Sequence, residues 1–231
     1  MGHGDDLAAL LAAAAPADMG PRDVLAVAHK VVSKAEGRVV ALADVRPGER
    51  ARVLAREHGK DERLVQVVLD ESAELLRAER GVLICVTHHG FVCANAGVDR
   101  SNVSDGSVVL LPRDPDASAR KLRAALPARP AVVISDSFGR AWRVGQTDVA
   151  IGVAGLIPVD DWRGRPDAGG RPLEATAIAV ADAVAAAADL ARAKDASRPA
   201  VLVRGLERFV TEEDGPGAAA LRRDRADDLF R

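Results

Sequence analysis

The chain has 231 residues, of which 48% are apolar, enough to build a core, so disorder over most of its length is excluded. Thirty-two basic residues stand against 34 acidic ones, a formal charge of −2 with no block of five or more like charges, which argues against a nucleic-acid-coating surface. Only 3% of residues are aromatic and Tyr is absent, so base-stacking platforms would have to come from four Phe and two Trp.

No membrane span is expected, because Asp182 interrupts the Ala-rich run 175–188 and the run falls short of roughly 18 clean apolar residues. Residues 1–6 hold two acids and lack the basic start of a secretory signal, so the expected compartment is the cytoplasm.

In chain order, DDLAALLAAAA (5–15) pairs cap-competent acids with strong helix formers and is stopped by Pro16, which predicts a first helix. The Val-rich stretch 23–32 reads as a buried strand that runs into a polar turn at 33–38. Apolar residues at helical spacing, among them Leu64, Val67, Val68, Leu75 and Leu76, predict two helices over 47–59 and 62–79. VLICVT and FVCAN flank His88, His89 and Gly90 and predict a hairpin that sets Cys85 opposite Cys93. That register admits a disulfide, but a reduced pair is expected in a cytoplasmic chain, and the two cysteines lack zinc-site spacing.

A polar loop follows at 95–102, then a strand at 107–111, a helix at 117–126 behind a Pro/Asp turn, and a strand at 131–134 ending at Ser135. The glycine-punctuated stretch 138–171 reads as a second lobe or an active-site excursion. A long Ala-rich helix over 174–194, a strand at 200–203 and a polar tail or linker over 211–231 complete the chain. Trp142 and Trp162 are expected to be packing anchors, and His88 with His89 are adjacent strand residues that point to opposite faces, unfit to share a metal.

Three strand ends deliver small and charged groups: Ser33 with Lys34, the loop bearing Asp99 and Asn102, and Asp136 with Ser137. Carboxylates plus a hydroxyl are hard oxygen ligands suited to Mg²⁺ or Mn²⁺, while nearby Lys and Arg can hold phosphate oxygens. The combination points to metal-assisted phosphoryl transfer, although neither standard glycine-rich phosphate loop is present and each residue alone could be an ordinary turn or cap residue.

Five motifs taken together are more specific: VVSKAEGR (31–38), NAGVDRSNV (95–103), LPRDPDASARKLR (111–123), SDSFGRAWRVGQTDVAIGVAG (135–155) and DWRGRPDAGGRPLEAT (161–176). In order and spacing they closely resemble the coenzyme F420-0:L-glutamate ligase family over roughly residues 4–206. GRAWRVGQTDVAIG looks most like the actinobacterial branch, whose ligase is often fused to a nitroreductase-like domain that would begin about where this chain ends. The resemblance implies a mixed α/β (α+β) ligase fold with two intimately packed lobes, a ligase domain over 1–210 and an embracing homodimer.

The implied activity is GTP-dependent: the terminal carboxylate of the deazaflavin F420 precursor is phosphorylated, and the amine of L-glutamate attacks the acyl phosphate to form a γ linkage. By motif matching, Asp99 and Asp136 would hold a first divalent ion, Mg²⁺ or Mn²⁺, and Ser137 would sit on a second. Lys34, Asn102, His29 and Lys30 would face GTP. Arg140, Arg143, Asp161 and Asp167 are added as phosphate or substrate contacts, and a dependence on K⁺ stays open. Two segments depart from the family pattern: only Met1, Gly2 and His3 precede GDDLA, and the turn after the long helix reads ARAKD (191–195), without the glycine that lets backbone approach phosphate. Two other readings therefore stay open, a relative that ligates another acceptor by the same chemistry and a catalytically weak nucleotide-binding or partner protein.

Overall fold

The computed structural model describes residues 1–193 and 197–229. Over these residues it is a mixed α/β chain with six α-helices and eleven strands in four sheets. Lys194 and Asp195, the end of the turn without glycine, lie outside the described residues.

Helix α1 (Leu7–Ala14) leads to β1 (Val24–Ala28), a strand that is buried except at its end. The strand expected to reach Val32 stops there, and His29–Ala35 forms helix α2. Valines suggested the strand, yet the buried residues His29, Val32 and Ser33 follow the i, i+3, i+4 stripe of a helix. After β2 (Val39–Ala41), helix α3 (Glu49–His58) ends at Gly59 in the left-handed region. Helix α4 (Glu62–Asp70) is capped by Asp61, whose carboxylate accepts the Arg63 N–H at 2.8 Å.

The helix expected to run to Glu79 also stops early, and Ser72–Glu79 is strand β3 in spite of its Ala, Glu and Leu content. It pairs antiparallel with β4 (Val82–Thr87), placing Leu75 opposite Cys85 and Ala78 opposite Leu83. On its other side β4 has only the three-residue β5 (Val92–Ala94), so β3 satisfies backbone groups that would otherwise be left open. That gain exceeds helix propensities of a few tenths of a kcal/mol per residue, so roughly eight residues change class. The hairpin register is as expected: Cys85 faces Cys93, and both are buried free thiols.

Strand β6 (Ser107–Val109) pairs with β2, and helix α5 (Pro115–Ala125) follows. Strand β7 (Ala131–Arg140) continues well past Ile134 into the stretch read as irregular, which next forms the twelve-residue strand β8 (Arg143–Ala154). Between them Trp142 turns the chain at φ 58° and is 85% exposed, the opposite of a packing anchor. Strands β9 (Val159–Asp161) and β10 (Ala177–Ala179) pair, so the long helix, α6 (Val180–Arg192), starts six residues later than expected. Strand β11 (Ala200–Val203) closes the list.

The chain divides into two compact units. The first comprises Met1–Leu7, Ala28–Pro115 and Asp136–Thr147; the second comprises Ala8–Val27, Asp116–Ser135 and Asp148–Arg231. Of the glycine-rich stretch, 138–147 cluster with the first unit and 148–171 with the second.

In the first unit, helices α3 and α4 pack Ala51, Ala55, Val65 and Val68 against Leu83 and Cys85, while Leu42, Val67, Val108 and Leu110 form a neighbouring cluster. In the second unit, α6 buries Val180, Ala181, Val184 and Ala185 in a cluster with Val24, Ala131, Val133 and Val153. Each fully buried Val there contributes about 1.5 kcal/mol or more.

The segment from Thr211 is not a detached tail. Thr211 N–H donates to the Gly155 carbonyl, Gly155 N–H donates to the Asp214 carbonyl, and Ala218 is fully buried in the core of the second unit. Asp116 fastens it, its Oδ1 accepting from Ala218 N–H at 2.7 Å and Val153 N–H at 2.9 Å.

Candidate functional site

Within the first unit, two consecutive residues of α2 each meet one carboxylate. His29 is 2% exposed, and its Nδ1 lies 3.3 Å from Ser33 Oγ, one helical turn on. Its Nε2 comes within 3.2 Å of Asp136 Oδ1 without the alignment of a hydrogen bond, so this nitrogen is buried and unsatisfied. Asp136 is held by the strand itself, its Oδ1 accepting the Ser137 N–H at 2.8 Å. The pleat places Ser137 on the opposite face of β7 from Asp136.

Lys30 Nζ reaches Asp99 Oδ2 and Ser101 Oγ, both at 2.6 Å. Asp99 also accepts from Ser101 N–H at 2.7 Å and Ser101 Oγ at 3.0 Å. Burial opposes ionisation of this carboxyl, but the bonds from Lys30 and Ser101 outweigh it and hold Asp99 below the ordinary carboxylate range. The loop itself is anchored by Asp99 exchanging backbone hydrogen bonds with Val109, and by Gly97 at φ 71°, where a Cβ would stand 2.7 Å from the Leu111 side chain.

Lys34, one turn beyond Lys30, donates to the Asn102 carbonyl. Lys34 and Asn102 also line a cleft of about 860 Å³, together with Met1, Gly2, His3, Glu36, Gly37 and Arg113. Gly4 N–H donates to the Ala35 carbonyl, which seats the first residues beside α2. The structure therefore gathers His29, Lys30, Lys34, Asp99, Asn102 and Asp136 around α2, while Ser137 lies on the other face of β7. Ser33, fully buried under His29, belongs with them. The sequence singled it out only as a strand-end residue, and the i, i+4 spacing to His29 is the signal that links the two.

Arg140 and Arg143 are placed elsewhere, at the exposed end of the β7–β8 hairpin. Arg140 lies four residues, about 13 Å, along the strand from Asp136 and donates to the Val144 carbonyl at 3.3 Å. Asp161 and Asp167 belong to the second unit and are engaged locally. Arg163 grips Asp161 through several hydrogen bonds and lowers its carboxyl to about 2, and Asp167 accepts from Gly169 and Arg171 N–H in a turn.

Burial, with Asp136 and Cys85 adding repulsion, pushes the buried Cys93 thiol up to about 12, away from the thiolate form. His88 and His89 turn their Nε2 atoms to the carbonyls of Asp70 and of Pro112 and Arg113. Among the described residues no three His, Cys, Asp or Glu side chains form a ready-made metal cage, and no helix is long and apolar enough to cross a membrane.

Lys34 and Arg113 bring positive charge to the cleft, suited to oxyanions, and the Asp99 and Asp136 carboxylates, met by neighbouring residues of α2, are donors of the kind a hard cation takes. The model of the F420-0:Gamma-glutamyl ligase family matches residues 1–205. The coenzyme F420:L-glutamate ligase of Methanothermobacter thermautotrophicus is 44% identical over 100% of this chain and 94% of its own length. That of Methanopyrus kandleri is 44% identical over 99% of this chain and 92% of its own, and that of Archaeoglobus fulgidus is 45% identical over 88% and 83%. With a family model spanning most of its length and relatives this similar end to end, the chain belongs to the F420-0:gamma-glutamyl ligase family.

Proposed function

We propose that the protein is a GTP- and divalent-metal-dependent ligase that adds L-glutamate in γ linkage to the coenzyme F420 precursor. The observation that carries this reading is α2 itself, which sets Lys30 on Asp99, His29 beside Asp136 and Lys34 on the Asn102 loop at the rim of the 860 Å³ cleft. The names of the relatives supply the acceptor and the amino acid.

The donor set fits an ion that arrives with a nucleotide better than a resident one. Mg²⁺ commonly takes one or two carboxylates and completes its shell with substrate phosphates and water, so the lack of a three-ligand cage among the described residues suits it. Asp99 and Asp136 would hold it, Ser137, on the opposite face of β7, would sit on a second ion, and when bound such an ion offsets charge on the phosphates.

The protein's own residues account for the rest. Lys34 and Arg113 bring positive charge to the cleft wall where phosphates would lie, and such preorganised charge favours a transition state in which negative charge gathers on oxygen. Buried His29 backs Asp136 from the protein side and keeps one face of that carboxylate from water. Asp99 is ionised at any physiological pH, because its hydrogen bonds lower its proton affinity. In the proposed reaction the acceptor carboxylate takes the γ-phosphoryl group of GTP, releasing GDP; the glutamate amine then attacks the acyl carbon, and phosphate leaves. A homodimer and K⁺ dependence are part of the proposal, checked by light scattering and by replacing K⁺ with Na⁺ in the assay.

The test is mass-spectrometric detection of the glutamylated product and GDP with GTP, Mn²⁺, L-glutamate and the precursor, alongside calorimetric titration of GTP with and without Mn²⁺. Metal-dependent GTP binding that is lost in Asp136→Ala, and product that needs all four components, is the expected result. GTP turnover with a different acceptor would reassign the substrate, and no nucleotide binding by the folded wild type would overturn the reading.

A further inference from the structure

The second unit carries a cleft that the proposed reaction does not use. It measures about 380 Å³ and is lined by Pro21, Arg22, Arg123, Arg129, Val210, Thr211 and Glu212. Three of these seven residues are arginines and one is an acid, in a protein whose overall charge is slightly negative.

The three guanidinium groups play different parts. Arg123 is 3% exposed and already committed, donating to Asp214 at 2.7 Å and to the Thr211 carbonyl at 2.8 Å. Those bonds fix the 211–214 segment that forms one wall. Arg22 and Arg129 are exposed, and neither side chain has an ion-pair or hydrogen-bond partner among the described residues. Arg129 also sits at φ 44°, in the left-handed region where glycine is the usual occupant and other residues cost about 1–2 kcal/mol. This unfavourable backbone position nevertheless presents a cation to the cleft.

Two unpaired guanidiniums line one concave surface, and arginine recognises phosphate oxygens with several parallel N–H bonds. Pro21 and Val210 supply apolar wall beside them, and the volume exceeds a bare phosphate and lies at the low end for small-ligand pockets. We infer that this cleft is a second anion site, which takes a phosphate monoester with a small, partly apolar body through Arg22 and Arg129. Glu212, which has no partner among the described residues either, disfavours a ligand carrying several negative charges on its body.

The experiment is calorimetric titration of the full chain with phenyl phosphate and, separately, inorganic phosphate, at low salt. Saturable binding of phenyl phosphate at one site per chain, severalfold tighter than inorganic phosphate, is expected. The double variant Arg22→Ala/Arg129→Ala should weaken it at least tenfold while its thermal midpoint stays within a few degrees of wild type, since both residues are exposed. Lys34→Ala, in the first unit, should leave it unchanged. Binding that survives the double variant, binding that disappears in Lys34→Ala, or no saturable binding would each overturn the inference. GTP binding is measured by its own titration, so loss of this inference leaves the proposed function to be judged separately.

Discussion

Two carboxylates show how differently one functional group is used in this protein. Asp148, in the second unit, is 4% exposed and ion-paired with Arg192, itself 6% exposed, with Ser135 Oγ bonded to Asp148 Oδ2 and to Arg192, each at 2.8 Å. Asp99, in the first unit, also meets a cation and a serine, but its side chain is 38% exposed. In the core, a carboxylate without its partner would leave a buried guanidinium, so the pair is a structural connector. At the loop, water can replace either partner, so the pair adds little to stability and is available for exchange with a ligand. Burial, more than partner chemistry, separates a connecting acid from an exchangeable one.

The sharpest way to break that comparison is Asp148→Ala. It should lower unfolding free energy by about 3–5 kcal/mol, because Arg192 would be left charged and buried. Urea denaturation reads this directly, and a loss below 1 kcal/mol would mean that water reaches the pair.

Asp136→Ala tests the other side. Glutamate ligation should fall about a hundredfold or more, the scale for losing a group that organises phosphate charge, while the urea midpoint moves little. A collapse of stability with no specific loss of metal-dependent GTP binding would turn Asp136 into a connector like Asp148.

Gly97→Ala sharpens the comparison at the loop that carries Asp99. The new Cβ would meet Leu111 at 2.7–2.9 Å on a backbone with positive φ, and should destabilise by about 1–3 kcal/mol. The same variant should weaken GTP binding, because the displaced loop bears both Asp99 and Asn102.

The smallest effect is that of pH on Asp99. Its carboxyl lies below the ordinary 3.8 in the folded protein, so its contribution is present above the unfolded value and is lost as pH falls through the lower folded one. Lys30→Met should remove part of that contribution, less than about 1 kcal/mol at pH 7. The wild-type advantage should shrink as both proteins are taken below pH 4. An advantage that persists in strong acid would show that Lys30 stabilises by packing instead.

Much of the candidate site was legible in the chain. Lys34, Asn102, Asp99, Asp136 and Ser137 lie within short motifs whose residue types carry their chemistry locally, and the fold brings all but Ser137 around α2. Lys30 and His29 were legible through the family pattern, whereas the placement of His29 over Ser33 depended on α2 being a helix. Arg140 and Arg143 looked equally chemical in sequence but extend along an exposed hairpin. Their position follows from β7 continuing past Ile134, which depends on pairing with β8 and on no local signal.

The parts determined by sequence alone are those whose cause is local. The cap at Asp61, the stop at Gly59, the Cys85–Cys93 register and the oxygen-rich strand ends need only near neighbours. Tertiary structure decided the rest: β3 is a strand because β4 needs a second partner, 211–221 pack because Asp116 and Arg123 offer bonds to their backbone and to Asp214, and Asp148 and Asp99 divide into structural and exchangeable acids. The reason is common to all three. Backbone hydrogen bonding and burial are settled by groups far apart in the chain, and their energies exceed the local preferences that a sequence displays.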